Sequence, residues 1–423
     1  MWNKIRQIWK IKDLRNKILF VLAMLVIFRF AAHIPIPGIN LENLKDFFGS
    51  NQILGLLNIF SGGGMSNFSI IMMGVAPYIT ASIIFQLLTM IIPKLEEFQK
   101  EPGGRQKISM YTRLATVPLA ILQGYGMIAL LSQSPQPIIE NFGIWNMAAM
   151  LITICGGTIL LMWIGELITE KKIGNGISLL IFAGIIARVP EVIQEAVINF
   201  NRDQVITLLV FGVIAIITIV GVVFITEGQR NIPVSYAKRV RGMKMYGGMN
   251  THLPLRVNQA GVIPIIFAIS VILFPPMISQ FLVRSGSEFV AGAGQFIIDL
   301  FNNQLFYGAS YFILVFAFTY FYTAVVFHPH QIAENLQKQG AFIPGIRPGT
   351  NTAQYLQYTI TKITLTGALF LALIAVLPLL LQGATGMQSL VIGGTSLLIV
   401  VSVVIELIKQ VESQLTMRDY DGF

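Results

Sequence analysis

The chain has 423 residues, of which 54% are hydrophobic and only 12% charged, where an ordinary soluble domain carries about 25% charge. So little charge cannot cover the surfaces of the soluble domains that this length would otherwise allow. Apolar runs long enough to cross a bilayer recur along the whole chain. A soluble enzyme, a fibre and a disordered chain are excluded, and the sequence predicts an all-α, polytopic membrane protein.

Ten spans are predicted in chain order, at roughly 18–37, 69–92, 111–131, 146–168, 175–190, 205–226, 258–281, 305–327, 363–381 and 387–408, most having the ~20 residues that crossing requires. The fifth is the shortest. The first follows a basic start and is expected to be retained, because His33, Pro35, Pro37 and Gly38 follow it rather than a small-residue cleavage site. Between spans one and two, the segment near 55–67 is apolar at its start yet too short to cross. It is either a re-entrant or interfacial helix leading into Gly62-Gly63-Gly64, or a plain outer loop. Two loops, 227–257 and 328–362, are long for a compact bundle, which marks a functional segment or a solvated, headgroup-facing one.

Charge fixes the expected orientation. Of the 29 Lys and Arg residues, 24 fall on the N-terminus and the even-numbered loops and Arg29 lies within the first span, while the opposite loops hold only Lys45, Arg188, Arg202 and Arg284. The positive-inside rule then puts both termini in the cytoplasm. With five spans per half, equivalent halves (1–190 and 191–423) are inverted across the membrane. In register with that pairing, the second span holds Gly74-Val75-Ala76-Pro77 and the seventh Gly261-Val262-Ile263-Pro264.

No reaction chemistry is visible. There is no phosphate-cradling G-x-x-x-x-G-K-[ST] loop and no H-E-x-x-H, and the four histidines lack zinc-ligand spacing, so no metal, cofactor or enzymatic activity is expected. The single Cys155 allows no intramolecular disulfide. Glu166 and Glu406 sit near cytoplasmic span ends and no carboxylate lies at mid-span, which weighs against an ion-coupled small-solute transporter. A lipid scramblase or a membrane-bound enzyme lacks a catalytic constellation. The polar residues that remain within spans are uncharged: Thr80, Ser82 and Gln86 in the second, Asn175 and Ser178 opening the fifth, and Asn258 opening the seventh. Each makes an ordinary interhelical hydrogen bond, or together they line a seam that opens without exposing bare hydrocarbon to water.

Several strings then stand out: RFAAHIPIPG at 29–38, NIFSGGGMSNFSI at 58–70, GVAPYITASIIFQLL at 74–88, LMWIGELITEKKIGNGIS at 161–178, THLPLRVNQAGVIP at 251–264, GAFIPGIRPG at 340–349 and GGTSLLIVVSVVIE at 393–406. In these, and in their order, the chain resembles the SecY/Sec61-alpha family of protein-conducting channel subunits. The resemblance implies a clamshell of spans 1–5 and 6–10 around a central pore in the bacterial plasma membrane. It implies an aliphatic pore ring of Val75, Ile79, Ile181, Ile266 and Ile399, which dewets the neck and offers a passing chain no hydrogen bonds. It makes Asn58, Ile59, Phe60, Ser61, Gly62, Gly63, Gly64 and Met65 a plug, and Thr80, Ser82, Gln86, Asn175 and Asn258 the lateral gate through which transmembrane segments leave into lipid. It assigns Lys238, Arg239, Arg241, Lys244 and Arg347 to docking of the SecA motor or the ribosome. SecE and SecG subunits, secretory preproteins with their signal sequences, and membrane lipid complete the implied partners.

Overall fold

The computed structural model describes residues 9–40, 43–44, 61, 63–132, 138–139, 143–198, 205–236, 239–241, 244–246, 250–283, 287–385 and 393–421. The helices among them are α1 (Lys12–Ala31), α2 (Ala76–Ile91), α3 (Pro93–Lys100), α4 (Gly104–Leu131), α5 (Ile144–Glu170), α6 (Gly176–Ile198) and α7 (Val205–Glu227). They continue with α8 (Ile263–Val283), α9 (Glu288–Asn302), α10 (Gln304–Val326), α11 (Pro329–Lys338), α12 (Thr350–Thr385) and α13 (Gly393–Asp421). Five short strands interrupt this helical chain: β1 (Gln229–Tyr236), β2 (Arg239–Arg241), β3 (Lys244–Tyr246), β4 (Asn250–Arg256) and β5 (Ala341–Phe342).

The bundle is apolar outside as well as inside. On α7, Val213, Ile216, Val220 and Phe224 are all more than half exposed. A helix that is hydrophobic all round and lies on the surface belongs in hydrocarbon, not water. Among the described residues, four helical segments are long and apolar enough to cross a bilayer: Gly104–Leu131, Ile144–Glu170, Gln304–Lys338 and Thr350–Leu381. The pair Ala76–Ile91 and Pro93–Gln99, bent by 108°, makes a fifth if counted as one span. The other expected spans fall on helices that are shorter in their apolar part, such as Ile263–Pro276, or more charged, such as α1 with Lys12, Asp13, Arg15, Lys17 and Arg29.

Helix boundaries depart from the sequence expectation where backbone chemistry intervenes. The second span was expected from residue 69, but Ser69 makes an isolated antiparallel bridge to Pro35, 70–75 form turns and α2 starts only at Ala76, behind Gly74 at φ 56° and with Pro77 in its first turn. Pro93, preceded by Ile92 in an extended conformation, ends α2 and starts α3 at the sharp bend. The expected plug lies partly outside the described residues (58–60 and 62). Ser61 and 63–68 are turns rather than helix, held by Met65 N donating to Ser61 Oγ at 3.0 Å and Ser69 N to Gly64 O at 2.8 Å. Met65 and Phe68 bury themselves beside Met72, beside Met127 and Ile128 near the C-terminal end of α4 and beside Met150 near the start of α5.

Packing divides the helices into two sets. In the first half α2 lies on α4, α4 on α5 and α5 on α6. In the second, α8 lies on α10, α10 on α12, and α13 on α7 and α12. The sets meet along two seams, α8 against α2 and α4, and α13 against α6. One large cluster of buried hydrophobic side chains, mostly aliphatic, draws on both sets.

The two long loops are not separate. β1 pairs antiparallel with β4 from Gln229↔Arg256 to Ser235↔Asn250, and its far edge takes β5 through Ser235↔Phe342 and Tyr236↔Ala341. Ile232, Val234, Leu255, Ala341, Ile343 and Leu356 bury a core of their own beneath this sheet. Residues from 227–257 and 328–362 thus form one small body at the end of the bundle where α7 and α10 finish and α8 and α12 begin.

Close backbone approach, which only glycine permits, joins α5 to the turn before α2. A Cβ on Gly157 would lie 1.8 Å from the carbonyl oxygen of Ile70, whereas one on Gly156 would meet nothing within 4 Å. Thermal melting in detergent checks this: Gly157→Ala is expected to destabilise by about 1–3 kcal/mol, and Gly156→Ala to be neutral or stabilising by up to about 1 kcal/mol.

Candidate functional site, an aliphatic neck beneath a polar mouth

α2 and α8 begin in the same way. Gly74 and Gly261 adopt positive φ of 56° and 63°, the next residue, Val75 or Val262, precedes the helix, and Pro77 or Pro264 occupies its second position. The first turn closes with Ile79 N donating to Val75 O at 3.0 Å and Ile266 N to Val262 O at 3.3 Å. In each case valine and isoleucine are four apart and share a face. All four are buried in the largely aliphatic cluster that draws on both halves, and Ile181 on α6 and Ile399 on α13, each 1% exposed, belong to the same cluster. The five residues expected to form the ring, from α6, α8, α13 and the start of α2, thus all belong to one large buried cluster, which also takes in Ile83, Ile185, Ile269 and Val403. No Lys, Arg, Asp or Glu is buried among the described residues.

Next to this cluster a cavity of about 490 Å³ is lined by Asn175, Ser178, Arg256, Asn258, Glu406 and Lys409, among others, with Val262 and Ile263 on its wall. Val262 is four residues from Ile266, so the cavity reaches the rim of the aliphatic cluster from the side of the β-sheet. Its asparagines hold backbone. Asn175 Oδ1 accepts from Ile177 N at 3.0 Å and Ser178 N at 3.4 Å, capping α6. Asn258 Oδ1 accepts from Gly261 N at 2.9 Å while its Nδ2 donates to Gly261 O at 3.2 Å. Lys409 pairs with Glu227 at 2.7 Å and Gln410 Nε2 donates to Glu406 Oε1 at 3.3 Å, so the mouth carries both signs of charge.

The residues expected at the lateral gate separate into two groups. Asn175 and Asn258 line the mouth. Thr80, Ser82 and Gln86 lie along α2, where Thr80 Oγ1 accepts from Gln123 Nε2 of α4 at 3.3 Å and Ser82 Oγ accepts from Gln86 Nε2 at 3.1 Å. Sequence reasoning missed Gln123, whose amide in the middle of an apolar run was the available signal. It also missed the ion pair of Arg113 on α4 with Glu166 on α5 at 2.6 Å, since residues on separate helices give no local spacing to read.

On the sheet side, Arg347 is exposed on a turn in which Ile346 N donates to Ile343 O at 3.0 Å, with Pro344 and Gly345 (φ 83°) between them. Thr352 Oγ1 donates to Arg347 O at 3.0 Å, and buried Ile343 anchors the turn in the core of the sheet. Arg239, Arg241 and Lys244 lie in the β2–β3 hairpin, with Arg239↔Tyr246 and Arg241↔Lys244 as backbone partners. Lys238 lies outside the described residues. Among the described residues, no group of three His, Cys, Asp or Glu side chains is placed to hold a metal ion.

The SecY family model matches residues 69–408 of the chain. The protein translocase subunit SecY of Mycobacterium bovis is 47% identical, covering 97% of each chain, and that of Halalkalibacterium halodurans 44% identical over the full length of both. Among solved structures, one described as a protein-conducting channel superposes with a TM-score of 0.63 at 17% identity, covering 94% of this chain and 91% of its own. Canine Sec61 in a ribosome–channel complex gives 0.61 at 16%, with the same coverage. At these identities the two structures speak for the fold.

The Asn258 side chain makes both of its bonds to the turn entering α8, each worth about 0.5–1.5 kcal/mol. Asn258→Ala is expected to speed amide hydrogen exchange across the Val257–Gly261 turn, and Asn258→Asp, which keeps the acceptor for Gly261 N, to retain more of the protection. Hydrogen exchange followed by mass spectrometry on the detergent-solubilised protein reads both.

Proposed function

The chain belongs to the SecY family of protein translocase channel subunits, and from that premise we propose how it conducts a polypeptide. The family is one of channels, not enzymes. Unfolded secretory chains cross through the largely aliphatic cluster that draws on both halves, and the observation that carries this is that Val75, Ile79, Ile181, Ile266 and Ile399 are all buried in that one cluster, which borders the polar mouth at Val262. Branched aliphatics close a narrow neck against ions by dewetting and give way to a passing chain without binding it. Asn175, Asn258, Arg256 and Glu406 form the wet side of that neck.

Ten spans in two inverted halves, 1–190 and 191–423, are the reading supported by the charge asymmetry and by the matched starts of α2 and α8. Both termini and the β-sheet then face the cytoplasm of a bacterial plasma membrane. The plug is the segment ending in Ser61–Met65, next to the outer Met-rich cluster. Transmembrane segments leave between α2 and α8. A leucine-like residue gains about 0.3–0.6 kcal/mol on entering lipid, so that seam has to be weak. The buried carbonyl oxygens of Gln86 and Gln123, which have no hydrogen-bond partner among the described residues, suit a seam of that kind.

The sheet body with Arg347 and the β2–β3 hairpin is the docking face for SecA, through complementary charge, and for the ribosome, through phosphate contacts. The solved Sec61 relative was captured in a complex with a ribosome. SecE and SecG are the companion subunits on this reading.

The deciding experiment places a photoreactive residue at Ile79 or Ile266 and stalls a secretory precursor midway through export. Adducts at both positions are expected, and adducts at neither with export intact would remove the neck from the path. Replacing Ile79 and Ile266 together with Gly is expected to raise ion leak through reconstituted protein, measured as conductance across a planar bilayer. Arg347→Glu is expected to abolish SecA-driven export into vesicles while thermal melting of the protein stays unchanged.

A further inference from the structure

α9 corresponds to none of the ten expected spans. Its sequence, EFVAGAGQFIIDLFN, contains no Lys or Arg. One side is pressed against α8, where a Cβ on Gly294 would lie 2.9 Å from Ser279 O and 3.0 Å from both Leu282 Cβ and Val283 Cγ2. A second side presents Phe289 and Phe296, 86% and 67% exposed, which are seven residues apart and so within about 20° of each other around the axis. The third side is polar, with Glu288, Gln295 and Asp299, and Gln295 Nε2 donates to Asp299 Oδ1 at 3.1 Å.

The depth of α9 follows from its attachments. Ser279 is four residues from the end of α8, about 6 Å of helical rise. At the other end, Asn303 Oδ1 caps α10 by accepting from Leu305 N at 3.0 Å and Phe306 N at 3.4 Å, and the Phe301 and Phe306 rings meet edge to face at 5.3 Å. α9 therefore lies across the last turn of α8 and the first turn of α10, at the end of the bundle away from the β-sheet. That is the depth at which interfacial helices sit, about 5–10 Å into the boundary between headgroups and acyl chains.

We propose that α9 is an interfacial helix whose Phe289 and Phe296 insert into the outer leaflet, with lipid as the occupant of its exposed apolar stripe. The inference rests on the membrane-channel reading above and extends it to a lipid contact. Lipid is favoured because α10, which follows α9 directly and is long and apolar enough to cross a bilayer, exposes Leu305 and Ile313 by 83% and 64%. Since α9 carries acidic and no basic side chains, acyl burial and not attraction to anionic headgroups holds it there.

The test uses full-length protein with Cys155→Ala, single cysteines in place of Phe289, Phe296, Asp299 or Ile313, and spin labels on each. With the protein in phosphatidylcholine vesicles, collision with oxygen is compared with collision with a water-soluble nickel chelate. Labels at 289 and 296 are expected to favour oxygen, as the label at 313 does, and the label at 299 to favour nickel. Nickel access at 289 and 296, with 313 still in lipid, would overturn the proposal, and so would exclusion of both quenchers at 289 and 296. Nickel access at 313 would instead overturn the membrane-spanning reading of α10, and this inference with it. Adding an anionic lipid is expected to change nothing, and insertion seen only in its presence would refute the acyl-driven account.

Discussion

Helices surrounded by hydrocarbon gain little by hiding apolar side chains from one another, because lipid is as apolar as leucine. What holds this bundle together is therefore close fit, and where fit is poor the bundle parts. Close fit is plain within the first half, where α5 comes against the Ile70 carbonyl at Gly157 and α6 meets the Gly165 backbone at Gly176. The line between the halves is made differently. There the buried apolar side chains are largely branched aliphatics, and α2 adds amides that are only half used. On the proposed reading, the molecule is tight where it stays closed and loosely matched where it would open.

The matched starts of α2 and α8 give that line a defined geometry. A left-handed glycine, a valine, one further residue and a proline set the direction in which each helix leaves, and isoleucine follows one turn later on the face of the valine. Two helices from different halves thus deliver the same pair of side chains to one cluster. In the inverted repeat proposed above, this pairing would suffice to place a symmetric constriction at the centre.

Much of this was legible in the sequence. The helical class, the positions of several bilayer-length helices and the Gly-Val-x-Pro pairing follow from apolar runs and from two residues, glycine and proline, whose backbone preferences are local. The start of α2 was missed because the turns of residues 70–75 are as apolar as the helix they lead into. The strands escaped because β5 is two residues long and finds its partner about a hundred residues away. α9 escaped because an amphipathic helix lying along an interface lacks the length of a span. At the site, the ring residues carry no signal as single isoleucines in apolar helices, and only resemblance to a family singled them out. Asn175 and Asn258 were visible as polar residues, but their work as caps depends on backbone turns that sequence does not display.

The pairing of β5 with β1 changes what the two long loops are mechanically. As separate tethers, each would yield under load without troubling the other. Stitched into one sheet over a shared core, they form a yoke. Its arms run straight into the bundle: Gly228 follows α7 and its carbonyl takes Val257 N at 2.8 Å, and Val257 leads through the Asn258 turn into α8. A force applied at the Arg347 turn is thereby delivered to the base of the helix that carries Ile266, with few freely rotating residues on the way to absorb it.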